Sequence, residues 1–219
     1  MQIAASAGQL LEHSQPDVRR VSLEYVAAAL EHAVGSDGTQ RDATPGDFQR
    51  MLLLVALRVE DDALIVRSAA VAALRRLAAQ LREDADAALV LPSAVGEEAE
   101  DEAPTSRRRE LREQVLAALG PSLRHVTAAV RGAGADAVAA IACPGDAAAE
   151  AALLAILAGE AGGERDPDDD VRWSALRALP VVVRHGSRAA VTAAVRCAND
   201  EDEPIRIAAY KARADRRSR

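Results

Sequence analysis

DPDDDVRWSALRALPVVVR, residues 166–184, runs from an acidic turn through a Val-Arg step into an apolar helix. Three other stretches carry the same cadence: QPDVRRVSLEYVAAAL from Gln15, DDALIVRSAAVAALRRLA from Asp61 and DEDEPIRIAAYKARA from Asp200. A unit that recurs in this way marks a stacked array of helical hairpins. Each hairpin buries its apolar side against its neighbours rather than in one central core.

The motif has a physical reading of its own. An acid at a helix start satisfies backbone N–H groups that lack intrahelical partners. An Arg one turn in reaches the acid of the adjacent repeat, and its planar fork suits a partly buried carboxylate. These acids and arginines therefore read as structural.

Composition agrees. Hydrophobic residues make up 49% of the 219, aromatics only 2%, and the apolar content is mostly Ala with Leu and Val. Small side chains and good helix formers favour close-packed helices, and no sustained alternation of β-branched residues points to a strand. The prediction is all-α. A net charge of −7 and a pI near 5.2 argue against nucleic acid as the main ligand, because phosphate binding rests on clustered positive charge. Cys143 and Cys197 are too few and too far apart for a disulfide framework or a zinc site, and read as small buried groups. The longest apolar runs, such as residues 51–57, fall well short of the roughly 20 residues that span a bilayer, so no membrane insertion is expected. With no basic, apolar leader at Met1, the expected location is a reducing, cytoplasmic one.

Read in order, the chain divides into about six hairpins, 2–34, 47–82, 84–119, 122–142, 147–185 and 188–217, forming a single array over 1–219. In the first helix Ile3, Ala7, Leu10 and Leu11 share one face. The third unit is irregular: a short helix at 84–91, an acidic loop at 93–104 and a helix at 107–119 that starts on three arginines. The fourth reads as two short helices, 122–131 and 135–142, with Gly132-Ala133-Gly134 as an Ala-rich turn. Pro180 falls inside the helix after Asp170 and is expected to kink it.

The pattern resembles HEAT repeats, members of the armadillo-like helical folds, and their shorter bacterial relatives known from phycobilisome lyases. The residues that carry the resemblance are Asp17-Val18-Arg19, Asp61/Asp62 with Val66-Arg67, Asp169-Asp170-Val171-Arg172, and Asp202 with Ile205-Arg206. In the third hairpin Ser106-Arg107 stands in, and in the fourth Asp136-Ala137-Val138 lacks the Arg. The resemblance implies an α-solenoid with a ladder of turn Asp and helix Arg linking consecutive repeats. It is a fold signal, and function does not follow from it.

No residue set commits the chain to a reaction. HEAT-like folds include a di-iron hydroxylase with His-Glu pairs on successive helices. Here Glu12-His13 and Glu31-His32 stand in the reverse order, while His125 and His185 have no adjacent acid. The histidines read as surface residues near helix ends. A HEAT-like group that excises alkylated bases relies on aromatics in a basic cleft, whereas this chain has one Trp and one Phe. There is no phosphate-cradling Gly loop and no Ser/His/Asp or Cys/His set at a placeable spacing. Accordingly no catalytic residue, metal or cofactor is expected, and the chain is not expected to be an enzyme.

Aligning the second helices on Val18, Val66, Val171 and Ile205 as zero puts positions three, four, seven and eight on one arc and two, six and nine on the opposite one. Position two reads Arg20, Ser68, Trp173, Ile207; position six reads Glu24, Ala72, Arg177, Lys211; position nine reads Ala27, Arg75, Pro180, Ala214. Second helices usually line the concave side of a solenoid. An outward Trp173 and Ile207 flanked by Arg177 and Lys211 would then form an interface anchor, with Arg20 and Glu24 as further contacts. The expected function is a protein–protein interaction scaffold or adaptor, its partner another protein or complex. The alternatives are a lyase-like or enzyme-accessory protein binding a small molecule, and a structural subunit of a large assembly.

Overall fold

A computed structural model describes residues 2–33, 45–81, 104–158, 164–184 and 186–214. These residues are all-helical, with no strand among them. The helices are α1 (Gln2–Leu11), α2 (Pro16–Ala33), α3 (Pro45–Leu57), α4 (Leu64–Leu81), α5 (Pro104–Leu119), α6 (Ala128–Ile141), α7 (Ala147–Ala158), α8 (Asp169–Val182), α9 (Arg188–Cys197) and α10 (Glu203–Ala214). Short 3-10 turns at Arg58–Glu60 and Pro121–Arg124 precede α4 and α6.

The chain forms two compact units, Met1–Ala118 and Leu119–Arg219. In the first, α1 pairs with α2 and α3 with α4; α1 also touches α3, and α2 lies along α4. In the second, α7 pairs with α8 and α9 with α10; α7 touches α9, and α6, α8 and α10 follow one another in chain order. First helices thus stack on first helices and second on second. The apolar spacing explains why: Leu23, Val26, Ala27 and Leu30 of α2 are all buried, as are Val66, Ala70, Ala73, Leu74, Leu77 and Leu81 of α4. The same spacing buries Val171, Ala175, Ala178, Leu179 and Val182 of α8. A fully buried Leu contributes roughly 1.5–3 kcal/mol by leaving water.

Several sequence expectations change. Gly132-Ala133-Gly134 makes no turn: α6 is one helix through it. Gly134 is there for packing, since a Cβ at that position would lie 3.1 Å from Ser122 Cβ and 3.2 Å from Leu123 Cδ2. The glycine admits the preceding 3-10 turn against the helix instead of breaking the helix. Leu10 is exposed while Ala7 and Leu11 of its helix are buried. In the column alignment Ala27 is buried although position nine was placed on the outer arc, and Val21 and Tyr25 are exposed although positions three and seven were placed on the inner one. Those inner columns are covered in α8, which has helices on both sides, α6 and α10. In α2 only one second helix, α4, lies alongside within the unit. Pro180 sits in the last turn of α8, which ends two residues later at Val182. The helix at 84–91, the loop at 93–103 and residues 215–219 lie outside the described residues. Pro104 already belongs to α5, which starts three residues earlier than the sequence suggests. No described helix is long and apolar enough to cross a membrane.

Candidate functional site

Five turns among the described residues share one construction. The side chain of the first turn residue accepts the N–H two residues on: Asp61 from Ala63 at 3.0 Å, Asp166 from Asp168 at 3.0 Å and Asp200 from Asp202 at 3.1 Å. His13 and His125 do the same with Nδ1, from Gln15 and Thr127, both at 3.1 Å. These two histidines lie near helix ends, as expected from sequence, and each closes the turn ahead of the next helix.

Six residues after each turn residue comes an Arg whose Nη1 returns to the first two turn carbonyls. Arg19 donates to His13 and Ser14 (2.8 and 3.1 Å), Arg67 to Asp61 and Asp62 (both 2.8 Å) and Arg131 to His125 and Val126 (2.9 and 3.1 Å). Arg172 donates to Asp166 and Pro167 (both 3.0 Å) and Arg206 to Asp200 and Glu201 (both 2.8 Å). The fourth hairpin does possess the Arg that sequence reasoning denied it. It is Arg131, preceded by Val130, with His125 in place of an acid.

In three of the five, other guanidinium nitrogens link hairpins. Arg19 grips Asp61 with Nε and Nη2, at 2.8 and 2.7 Å, and also reaches Asp62 at 2.7 Å. Arg131 grips Asp166 likewise, at 2.7 and 2.9 Å. Arg172 makes a single 3.3 Å bond to Asp200, whose other oxygen is taken by Arg165 at 2.5 Å. The acids of the ladder are thus Asp61, Asp62, Asp166 and Asp200, rather than Asp17, Asp169, Asp170 and Asp202, which the resemblance had grouped with the Val-Arg steps. Burial works to push the Asp61 carboxyl up, but the bonds from Arg19 and the Ala63 N–H outweigh it and hold the group below the ordinary carboxylate range. At Asp200 burial is likewise overcome, by the Asp202 N–H and the charges of Arg172 and Arg165.

The exposed contact candidates fall in both units. Arg20 and Glu24 form an i,i+4 pair on α2 at 2.7 Å. On α8 the Arg177 guanidinium lies over the Trp173 ring, 4.5 Å from its centroid, and bonds Asp136 of α6 at 2.7 Å. Trp173 is 37% exposed and Ile207, at the same register on the adjoining α10, is 47% exposed. Lys211 is exposed one turn further along α10. Sequence reasoning missed Asp136, which occupies position six of α6 once Val130 is taken as zero.

Groups with chemical potential are few among the described residues. Asp168, Asp169 and Asp170 bring carboxylate oxygens within 4.8 Å of one another, with Asp168 already capping α8 through the Val171 N–H. Cys197 is buried, and burial pushes its thiol up, away from the reactive thiolate; Cys143 is half-buried.

No protein-family model matches the chain, and no curated protein matches it. Among solved structures, two engineered proteins from a structural genomics consortium are similar in fold. One is 17% identical, with a TM-score of 0.42 over 99% of both chains. The other is 13% identical, with a TM-score of 0.42 over 100% of this chain and 97% of that one. Human deoxyhypusine hydroxylase in complex with glycerol is 16% identical, with a TM-score of 0.39 over 99% of this chain and 85% of that one. The last of these corrects the sequence expectation that the chain is not an enzyme. That exclusion is withdrawn.

Proposed function

We propose that the two units are stretches of a HEAT-like α-solenoid, serving as a scaffold or adaptor that holds another protein on the exposed face of its second helices. The in-order stacking of hairpins and the repeated Arg–carboxylate rungs support the repeat reading. The observation that carries the functional one is Trp173: partly exposed, covered on one face by Arg177, and that Arg in turn held by Asp136. A large ring whose orientation is fixed before binding loses little freedom on contact, which is the property of an interface anchor. Ile207 on α10 extends the apolar surface beside it.

A photo-crosslinking amino acid placed at position 173 is expected to join the chain to a protein partner, and Trp173→Ala to weaken capture of that partner about tenfold or more. Trp173 is the sole Trp, so its fluorescence is read without interference. A blue-shifted, quencher-resistant emission from the isolated protein, or capture unaffected by Trp173→Ala, removes the proposal.

A further inference from the structure

A second surface lies elsewhere in the Leu119–Arg219 unit, on the sides of α7 and α9 turned away from their buried faces. Between them runs an open groove of about 890 Å3. Its floor is alanine, with Ala148, Ala152, Ala155 and Ala189 among its lining, and its polar rim is Arg124, Arg188, Thr192 and Arg196. No acid among the described residues lines it, although the chain as a whole carries a net charge of −7.

Arg196 lies in the last turn of α9, where the helix dipole favours it, but Arg188 is not explained by the helix it sits on. Arg188 is the first residue of α9, where positive charge opposes the helix dipole, and no acid stands in that turn. Neither Arg188 nor Arg196 makes an ion pair among the described residues. Arg188, Thr192 and Arg196 recur every four residues and so form one ridge of the helix, about 12 Å long. The alanine floor leaves room for a backbone to approach closely while the incoming chain supplies the larger side chains.

We infer that this groove docks an amphipathic helix of a partner protein, whose apolar ridge lies on the alanines and whose acidic flank meets Arg188 and Arg196. Charge complementarity selects the acid. The groove between two helical ridges selects a helix over an extended segment, because the described residues offer no strand edge to pair with one. A small molecule would need several polar groups converging on one spot, and here they are spread along a rim. This site is independent of the Trp173 surface.

The test uses the full chain and a fluorescent helical peptide of about 20 residues, with a Leu/Ile face and Glu pairs seven or eight residues apart. A peptide with Lys in place of each Glu serves as control. Saturable binding of the acidic peptide is expected, weakening with salt. The double variant Arg188→Glu/Arg196→Glu, both exposed positions, should fold normally by circular dichroism, bind the acidic peptide about tenfold more weakly and gain affinity for the Lys peptide. Trp173→Ala should leave peptide binding unchanged, so the two surfaces fail or succeed separately. Absence of saturation, equal affinity for both peptides, or an unaffected double variant overturns the inference. So does tighter binding of a single-stranded oligonucleotide through the same arginines, or self-association that the double variant abolishes, each of which assigns the groove a different occupant.

Discussion

Arg19 offers a comparison within a single rung. Its Nη2 lies 2.7 Å from Asp61 and 2.7 Å from Asp62, so distance alone ranks the two carboxylates equally. Burial does not: the Asp61 side chain is 4% exposed and that of Asp62 89%. Asp61 also receives two parallel bonds from the guanidinium, whereas Asp62 receives one. Removing a buried partner leaves an uncompensated charge and costs about 3–5 kcal/mol, while an exposed pair is worth about 0–1 kcal/mol. Asp61→Ala should therefore lower Tm by on the order of 10 °C and Asp62→Ala by no more than about 3 °C. Asp61→Asn keeps an oxygen for the Ala63 N–H but forfeits the charge, and should fall between them at about 2–3 kcal/mol. Thermal and urea denaturation followed by circular dichroism give all three values. Equal losses for Asp61→Ala and Asp62→Ala would refute the argument, because they would mean that burial does not set the strength of the rung.

Three further outcomes follow from the same geometry. Asp61 and Asp200 have folded-state pKa values below the unfolded value of about 3.9, so their contribution is present above pH ~4 and is lost as pH falls through the depressed values. Urea midpoints measured from pH 6 downward should drop in that window, less steeply for Asp61→Asn; an identical slope in the variant contradicts the assignment. Gly132→Ala should stabilise by about 0.5–1 kcal/mol, since the added methyl meets only Ser174 Oγ at 3.6 Å and Ala is the better helix former. Gly134→Ala, two residues on in the same helix, should destabilise by about 1–3 kcal/mol because its methyl meets Ser122 and Leu123 at 3.1–3.3 Å; a shared sign for the two, measured by denaturant titration, would show that the 3-10 turn yields.

The hairpins were legible where the Val-Arg step and an acid occur together, as at Val18-Arg19, Val66-Arg67, Val171-Arg172 and Ile205-Arg206. The choice of acid was not. DPDDD offers four aspartates and only Asp166 enters the ladder, because only the first turn residue faces both its own turn and the preceding hairpin's Arg. A stricter signal existed in the spacing of six between turn residue and Arg: 13 to 19, 61 to 67, 125 to 131, 166 to 172 and 200 to 206. It admits histidine at the turn, and with it Val130-Arg131. Trp173 and Arg177 were legible as outward positions; the Asp136 that orients Arg177 comes from another helix and required the stacked structure to be seen.

Histidine and aspartate are not equivalent in that turn position, and the difference has a consequence. An imidazole Nδ1 closes the turn as well as a carboxylate does, at 3.1 Å in both His13 and His125. It has no second oxygen and no negative charge, so it cannot take a guanidinium in the two-bond grip seen at Asp61 and Asp166. Arg67 belongs to the second hairpin, and residues 82–103, which follow its helix, lie outside the described ones. It keeps its bonds to the Asp61 and Asp62 carbonyls, but its buried Nε has no hydrogen-bond partner among the described residues. The local fold of each hairpin and the bond between hairpins are thus separable. The turn residue's acceptor atom provides the first and its charge provides the second.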